Sequence, residues 1–123
     1  MAKVMIVAGA LFGMLGVGAG AFGAHALAQK LEPRMLEIFE TGARYQMYHA
    51  LALVLIGILI HLQPRAGFAP AGWAMIVGII IFSGSLFALA LTGIKVLGAI
   101  TPIGGTAFLI GWGLLAVRAW QAL

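Results

Sequence analysis

A chain of 123 residues is the length of one domain. At 63% hydrophobic and 8% charged it is too apolar for a water-soluble fold, which carries about 25% charge. The formal charge of +4 is scattered singly rather than gathered into a basic stripe with interleaved aromatics, which argues against nucleic acid as a partner. With no cysteine, disulfides, thiolate metal sites and cysteine nucleophiles are excluded.

The charged side chains all fall outside four long runs, between Lys3 and Lys30, Arg44 and Arg65, Arg65 and Lys95, and Lys95 and Arg118. Each run reaches the roughly 20 residues that a helix needs to cross a hydrocarbon core of about 30 Å. The expected fold is therefore all-α: a four-span transmembrane helix bundle, residues 1–123 forming one membrane domain.

Span 1 is expected at about 4–27. Lys3, the apolar run and Ala24-His25-Ala26 look like a secretory signal, but the run is too long for its apolar segment and is kept as a span. Gly9, Gly13, Gly16, Gly20 and Gly23 step by four, three, four and three, so at about 100° per residue they share one narrow stripe. Such a seam lets two helix backbones approach closely in lipid. Its partner is either another span or another copy of the chain.

The segment 33–42 is expected to be a short amphipathic helix at the membrane interface, with Pro33 in its first turn. Leu36, Ile38 and Phe39 give it an apolar side, flanked by Arg34, Glu37 and Glu40. Glu40 precedes Arg44 by four, the favourable order for a helical ion pair. Thr41-Gly42 is expected to bend the chain into span 2, at about 45–62. Gln63-Pro64-Arg65-Ala66-Gly67 makes a turn, and span 3 follows at about 71–92. Gly93 to Ile100, with Lys95, is a short connection. Thr101-Pro102 reads as an N-cap followed by proline at the first helical position, opening span 4 at 102–120. The alternative is a proline kink within a longer helix from near Val96.

An even number of spans puts both termini on one side. Lys3, Arg65 and Arg118 share that side and Lys30, Arg34, Arg44 and Lys95 the other, so basic residues hardly decide orientation. The signal-like start points to cytoplasmic termini. The same topology gathers His25, Arg44, Tyr45, Gln46, Tyr48, His49, Ser85, Thr92, Lys95, Thr101 and Thr106 at one end of the bundle. The other end carries interfacial anchors: His61, Gln63, Arg65, Arg118 and Gln121. Tyr45, Tyr48, His49 and Ala52 follow at i, i+3, i+4 and i+7 and share a helix face. His49 is expected about 7 Å deeper than Arg44, with His25 near the same depth. This polar vestibule has two readings: a site where two histidines bind or relay a proton, headgroup or small solute, and a hydrogen-bond clamp fixing helix register.

Two histidines without a carboxylate or thiolate fall below the ligand count of a zinc site, and nothing fixes a bis-histidine haem, so no metal or cofactor is expected. The chain has no Asp and hence no Ser–His–Asp set. Ser83-Gly84-Ser85 lacks the flanks of a nucleophile elbow and suits small-residue packing, with hydroxyls bonded back to the helix. Gly104-Gly105 lacks the Lys-Ser/Thr of a phosphate loop. No enzyme is expected.

Gly20-Ala21-Phe22-Gly23-Ala24-His25-Ala26-Leu27, followed by Thr41-Gly42 and Tyr45-Gln46-Met47-Tyr48-His49-Ala50-Leu51-Ala52, resembles the bacterial membrane family known as domain of unknown function 423. Transmembrane protein 256 is its eukaryotic relative. Phe82-Ser83-Gly84-Ser85-Leu86, Leu91-Thr92-Gly93 and Gly98-Ala99-Ile100-Thr101-Pro102-Ile103-Gly104-Gly105 fit the same pattern, which covers essentially the whole chain. Where the pattern carries Tyr, this chain has Phe87. The resemblance implies a four-span bacterial inner-membrane protein without an agreed activity, some relatives supporting membrane integrity, and no catalytic residues to carry over. Three functions stay open: a structural or accessory protein acting through an oligomer or larger complex, a lipid- or solute-binding vestibule or minimal transporter, and a lipid- or quinone-linked enzyme.

Overall fold

A computed structural model describes residues 1–123. The chain is helical almost throughout and contains no strand. Helix α1, Ala2–Phe22, runs on through a π-helical turn at Gly23–Leu27. Helix α2 is Pro33–Leu62. Helix α3, Ala69–Gly78, passes through a second π-helical turn, Ile79–Ser83, into α4, Gly84–Thr92. A 3₁₀ segment at Lys95–Ala99 leads to α5, Thr101–Ala122. Four continuous helical runs, Ala2–Leu27, Pro33–Leu62, Ala69–Thr92 and Lys95–Ala122, are long and apolar enough to cross a membrane. Large apolar side chains such as Leu11, Leu55, Ile80 and Leu109 face outward, as a lipid solvent requires.

The runs alternate in direction, and α2 lies at the centre. It packs on α1 along one side and on α3, its π-helical turn and α4 along another, while α5 packs on α3 and the same turn. Leu53, Ile56, Phe68, Met75 and Phe108 belong to the main apolar core. A smaller cluster of Leu27, Phe39 and Ala90, with Phe87 against it, closes the other end.

The glycine seam finds its partner within the chain. A Cβ at Gly9 would stand 2.7 Å from the Ala50 carbonyl oxygen, one at Gly16 2.7 Å from Met47 Sδ, and one at Gly23 3.0 Å from the Phe39 ring. These three, seven residues apart, are the contact line with α2. Gly13 only grazes Ala50 at 4.0 Å, and nothing lies within 4 Å of Gly20. The seam is thus an internal α1–α2 joint, with Gly13 and Gly20 on its margin.

The separate interfacial helix expected at 33–42 merges with span 2. Its helix and the span form one rod of 30 residues, about 45 Å long. Thr41-Gly42 does not bend the chain. The Thr41 hydroxyl donates to the Glu37 carbonyl at 2.9 Å, and Gly42 stays helical because its bare backbone lets Phe87 and Leu86 of α4 pack against it. A rod of that length exceeds the hydrocarbon thickness of about 30 Å, and the charged first third, with Arg34, Glu37 and Glu40, is the part that lies beyond it. The expected Glu40–Arg44 ion pair is absent. Arg34 instead approaches Glu37 at 3.7 Å, an exposed pair that contributes little.

At the start of span 4, Thr101 is the first residue of α5 and not its cap, and no side chain caps that helix. The Thr101 hydroxyl faces Ser85 Oγ at 2.6 Å and the Leu97 carbonyl at 3.4 Å. Pro102 is the second helical residue, one place later than expected but still in the first turn, where its missing N–H costs nothing. The preceding connection is 3₁₀-helical, so span and connection make one nearly continuous run, closer to the longer-helix alternative. Gly93 ends α4 in the left-handed region (φ 73°), its N–H donating to Leu89 O.

Candidate functional site

The residues expected at a single polar rim separate into three places. The richest is a polar–aromatic cluster built on α2. Tyr45, Tyr48 and His49 share a helix face, as their spacing requires, and this face meets α5 and the π-helical turn of span 3. His49 is buried. Its ring stacks on Phe108 with centroids 3.4 Å apart and planes at 8°. Phe82 packs on both Phe108 and Tyr45, at 5.4 and 4.9 Å. Tyr45 meets Tyr48 edge-on at 5.6 Å.

Both imidazole nitrogens are engaged. Nδ1 lies 2.6 Å from the Tyr45 carbonyl oxygen, and the Trp112 indole N–H donates to Nε2 at 3.1 Å. An indole N–H only donates and a carbonyl only accepts. His49 therefore carries its proton on Nδ1, keeps a lone pair on Nε2, and is neutral in this arrangement.

The cluster lies deep in the bundle. Along α2, His49 is about 24 Å from Pro33 and about 20 Å from Leu62 at 1.5 Å per residue. Along α5, Trp112 is about 16 Å from Thr101 and about 15 Å from Ala122. The hydrogen bond thus joins α5 near its midpoint to α2 about 10 Å inside its charged first third. An open groove of about 400 Å³ runs beside it, lined by Tyr45, Tyr48, His49, Phe82, Gly105, Phe108, Leu109 and Trp112.

The second set comprises single ties between helices. Gln46, also buried, turns away from His49 and donates to the Phe12 carbonyl of α1 at 2.9 Å. Ser83 donates across to the Gly42 carbonyl of α2 at 2.7 Å. Ser85 bonds back to Phe82 O at 2.9 Å and meets Thr101 of α5. The hydroxyls of Ser83-Gly84-Ser85 thus do more than satisfy their own helix, because two of their contacts cross to neighbours. No buried side-chain nitrogen or oxygen lacks a hydrogen-bond partner.

The third set stands apart. His25 is exposed, in the π-helical turn that ends α1, and does not join His49. Gln46, one turn from His49, reaches Phe12, and Phe12 is about 20 Å along α1 from His25. The two histidines share neither depth nor contact, so the two-histidine vestibule is not formed. Thr92 and Thr106 are exposed and bond only to Ala88 O and Pro102 O of their own helices. Lys95 is exposed on the 3₁₀ segment. Arg44 is exposed and reaches Thr41 Oγ1 at 3.5 Å. No group of three His, Cys, Asp or Glu side chains is placed to hold a metal ion.

Trp112 and Phe108 escape the sequence reading, and Phe82 enters it only as part of the family pattern. For Trp112 a signal exists: tryptophan favours the membrane–water interfaces, and one placed mid-span carries an N–H that needs a partner inside. Phe82 and Phe108 carry no such mark.

Four alternating apolar helices, joined inside by a few hydrogen bonds and coated outside with aliphatic side chains, define a small multi-span membrane protein. Comparison with known sequences gives its family. The chain belongs to the family described as Protein of unknown function (DUF423), whose sequence profile matches residues 19–105. It is 48% identical over 122 residues to the UPF0382 membrane protein YwdK of Bacillus subtilis, covering 98% of this chain and 99% of that one. It is 51% identical over 115 residues to a UPF0382 membrane protein of Staphylococcus epidermidis, covering 94% and 93%. A third relative, from Staphylococcus aureus, is 50% identical over 119 residues, covering 97% of each. No solved structure matches the chain.

Proposed function

We propose that this protein is a structural, accessory component of the bacterial inner membrane that supports the integrity of the membrane or of a complex within it. One observation carries the reading: the polar side chains buried among the spans are occupied in bonds inside the bundle, and none is left unpaired. His49 has both nitrogens engaged, so a proton relay through it would first have to break the tie to Trp112. That weighs against the transporter reading, and it leaves a lipid- or quinone-linked enzyme without a free acid or base in the interior. The bacterial relatives support the bacterial setting. In this reading both termini lie in the cytoplasm, the side to which the signal-like start points.

The partners in this reading are bilayer lipids and either further copies of the chain or the subunits of a larger complex. Since Gly9, Gly16 and Gly23 are already packed on α2, association uses the outward faces rather than the seam. The test is a deletion strain assayed for entry of a membrane-impermeant dye, with crosslinking in native membranes. The expected outcome is raised dye entry, restored by the wild-type chain, and a crosslinked species above monomer mass. Unchanged permeability together with an uncrosslinked monomer would overturn the proposal.

A further inference from the structure

We propose that the groove between α1 and α2 binds one phospholipid whose headgroup carries both a phosphate and a primary ammonium. The groove is about 520 Å³ in volume and is separate from the one beside His49, though Tyr48 borders both. Gly16, Gly20 and Met47 contribute to its apolar floor, and Glu40 and Arg44 stand at one end.

The charges give the groove its specificity. Glu40 and Arg44 are one helical turn apart, in the order that favours an intrahelical ion pair, yet they do not pair, and the one ion pair in the chain lies elsewhere. Arg44 makes only a long contact to Thr41 Oγ1, at 3.5 Å. Glu40 makes no side-chain hydrogen bond at all, and both residues are exposed. An anion and a cation thus stand unneutralised side by side, about 6 Å apart along the helix axis, facing an apolar trough. An aminophospholipid presents the complementary set. Its phosphate meets the Arg44 guanidinium, which suits phosphate oxygens geometrically, and its ammonium, two carbons away, meets Glu40.

The order along α2 also fits. Glu40 is nearer the charged end of the rod that lies beyond the hydrocarbon, and Arg44 is one turn deeper. Tyr48 is a further turn in, half exposed, and its hydroxyl has no partner in the chain. It stands where it would donate a hydrogen bond to an ester carbonyl of the same lipid. Beside it the apolar lining of Val17, Gly20, Ala43 and Met47 receives the upper part of an acyl chain. A purely anionic headgroup would face Glu40 with like charge. A quaternary ammonium lacks the N–H that a carboxylate accepts.

The test is native mass spectrometry of the full chain released from nanodiscs. These contain equal amounts of phosphatidylethanolamine, phosphatidylcholine and phosphatidylglycerol with identical acyl chains. One retained phosphatidylethanolamine per chain is expected, favoured about tenfold over each of the others, the effect of one charge-assisted hydrogen bond. Glu40→Gln should bring phosphatidylethanolamine level with phosphatidylcholine, and Arg44→Gln should reduce retention of all three. Gly20→Leu should expel the lipid while leaving helicity unchanged, because nothing lies within 4 Å of a Cβ at that position. Equal retention of the three lipids by the wild type, a preference for either of the other two, or Glu40→Gln with unchanged selectivity would each overturn the proposal. Should Gly20→Leu fail to fold, the two charge variants decide. The accessory role is independent of this site, since none of these variants touches a bond that joins the helices.

Discussion

Replacing Trp112 with Phe tests whether the His49–Trp112 bond holds spans 2 and 4 together. The change keeps an aromatic side chain but removes the N–H that donates to His49 Nε2 at 3.1 Å. His49 is buried against Phe108, so Nε2 is left without a partner. An interhelical hydrogen bond in a membrane protein contributes about 0.6 kcal/mol on average and up to about 1.7. Leaving the acceptor unsatisfied moves the cost toward the upper figure, so a loss of about 1–2 kcal/mol is expected. His49→Ala also removes the stack on Phe108, worth about 0.5–1.5 kcal/mol beyond area burial, and opens a cavity. Its expected cost is about 3 kcal/mol. Because the two side chains share one bond, the double variant should be more stable than the sum of the single losses implies, by about 1 kcal/mol. Reversible unfolding in mixed detergent micelles, followed by circular dichroism on all four proteins, measures this cycle. Strict additivity, with a coupling near zero, would refute the argument that the bond stabilises the bundle.

Three further outcomes follow from the packing. Gly9→Leu should disrupt the α1–α2 joint and lower the yield of folded protein, because its Cβ would collide with Ala50 O and Leu53, whereas Gly18→Leu has open space and should be tolerated; thermal unfolding of the two variants makes the comparison. Ser83→Ala removes the bond to the Gly42 carbonyl and should cost about 1 kcal/mol, while Thr106→Ala, whose hydroxyl bonds only within its own exposed helix turn, should change stability by less than about 0.5 kcal/mol; micelle unfolding reads both. In Trp73→Phe and Trp120→Phe backgrounds, Trp112 should be quenched most strongly by lipids brominated near the ends of their acyl chains; strongest quenching by headgroup-proximal bromines would contradict its mid-span position.

The spans are legible because hydrocarbon rejects charge so strongly that ten charged residues suffice to delimit four uncharged runs. The glycine periodicity likewise marked a packing edge, but one helix's pattern does not name its partner, and only the fold assigns it to Ala50, Met47 and Phe39. Local composition alone suggests a break at Thr41-Gly42, whereas Phe87, distant in sequence, packs on the bare glycine within a continuous helix. For the site, the i, i+3, i+4 spacing put Tyr45, Tyr48 and His49 on one face correctly. What failed was the inference from topology to proximity. Being at the same end of a bundle fixes neither depth nor the direction in which a side chain points. His25 and His49 differ in both, and the true partner of His49, Trp112, lies 63 residues away.

Interior polar groups hold the helices together, and at His49 that is most open to measurement. Solid-state ¹⁵N NMR of the histidine-labelled protein in bilayers, assigned through His49→Ala, reports the protonation of each ring nitrogen. Engagement with Tyr45 and Trp112 predicts a protonated Nδ1 and an unprotonated, hydrogen-bonded Nε2 whose shift moves in Trp112→Phe. A ring protonated on Nε2, or an Nε2 signal indifferent to the loss of Trp112, would contradict it.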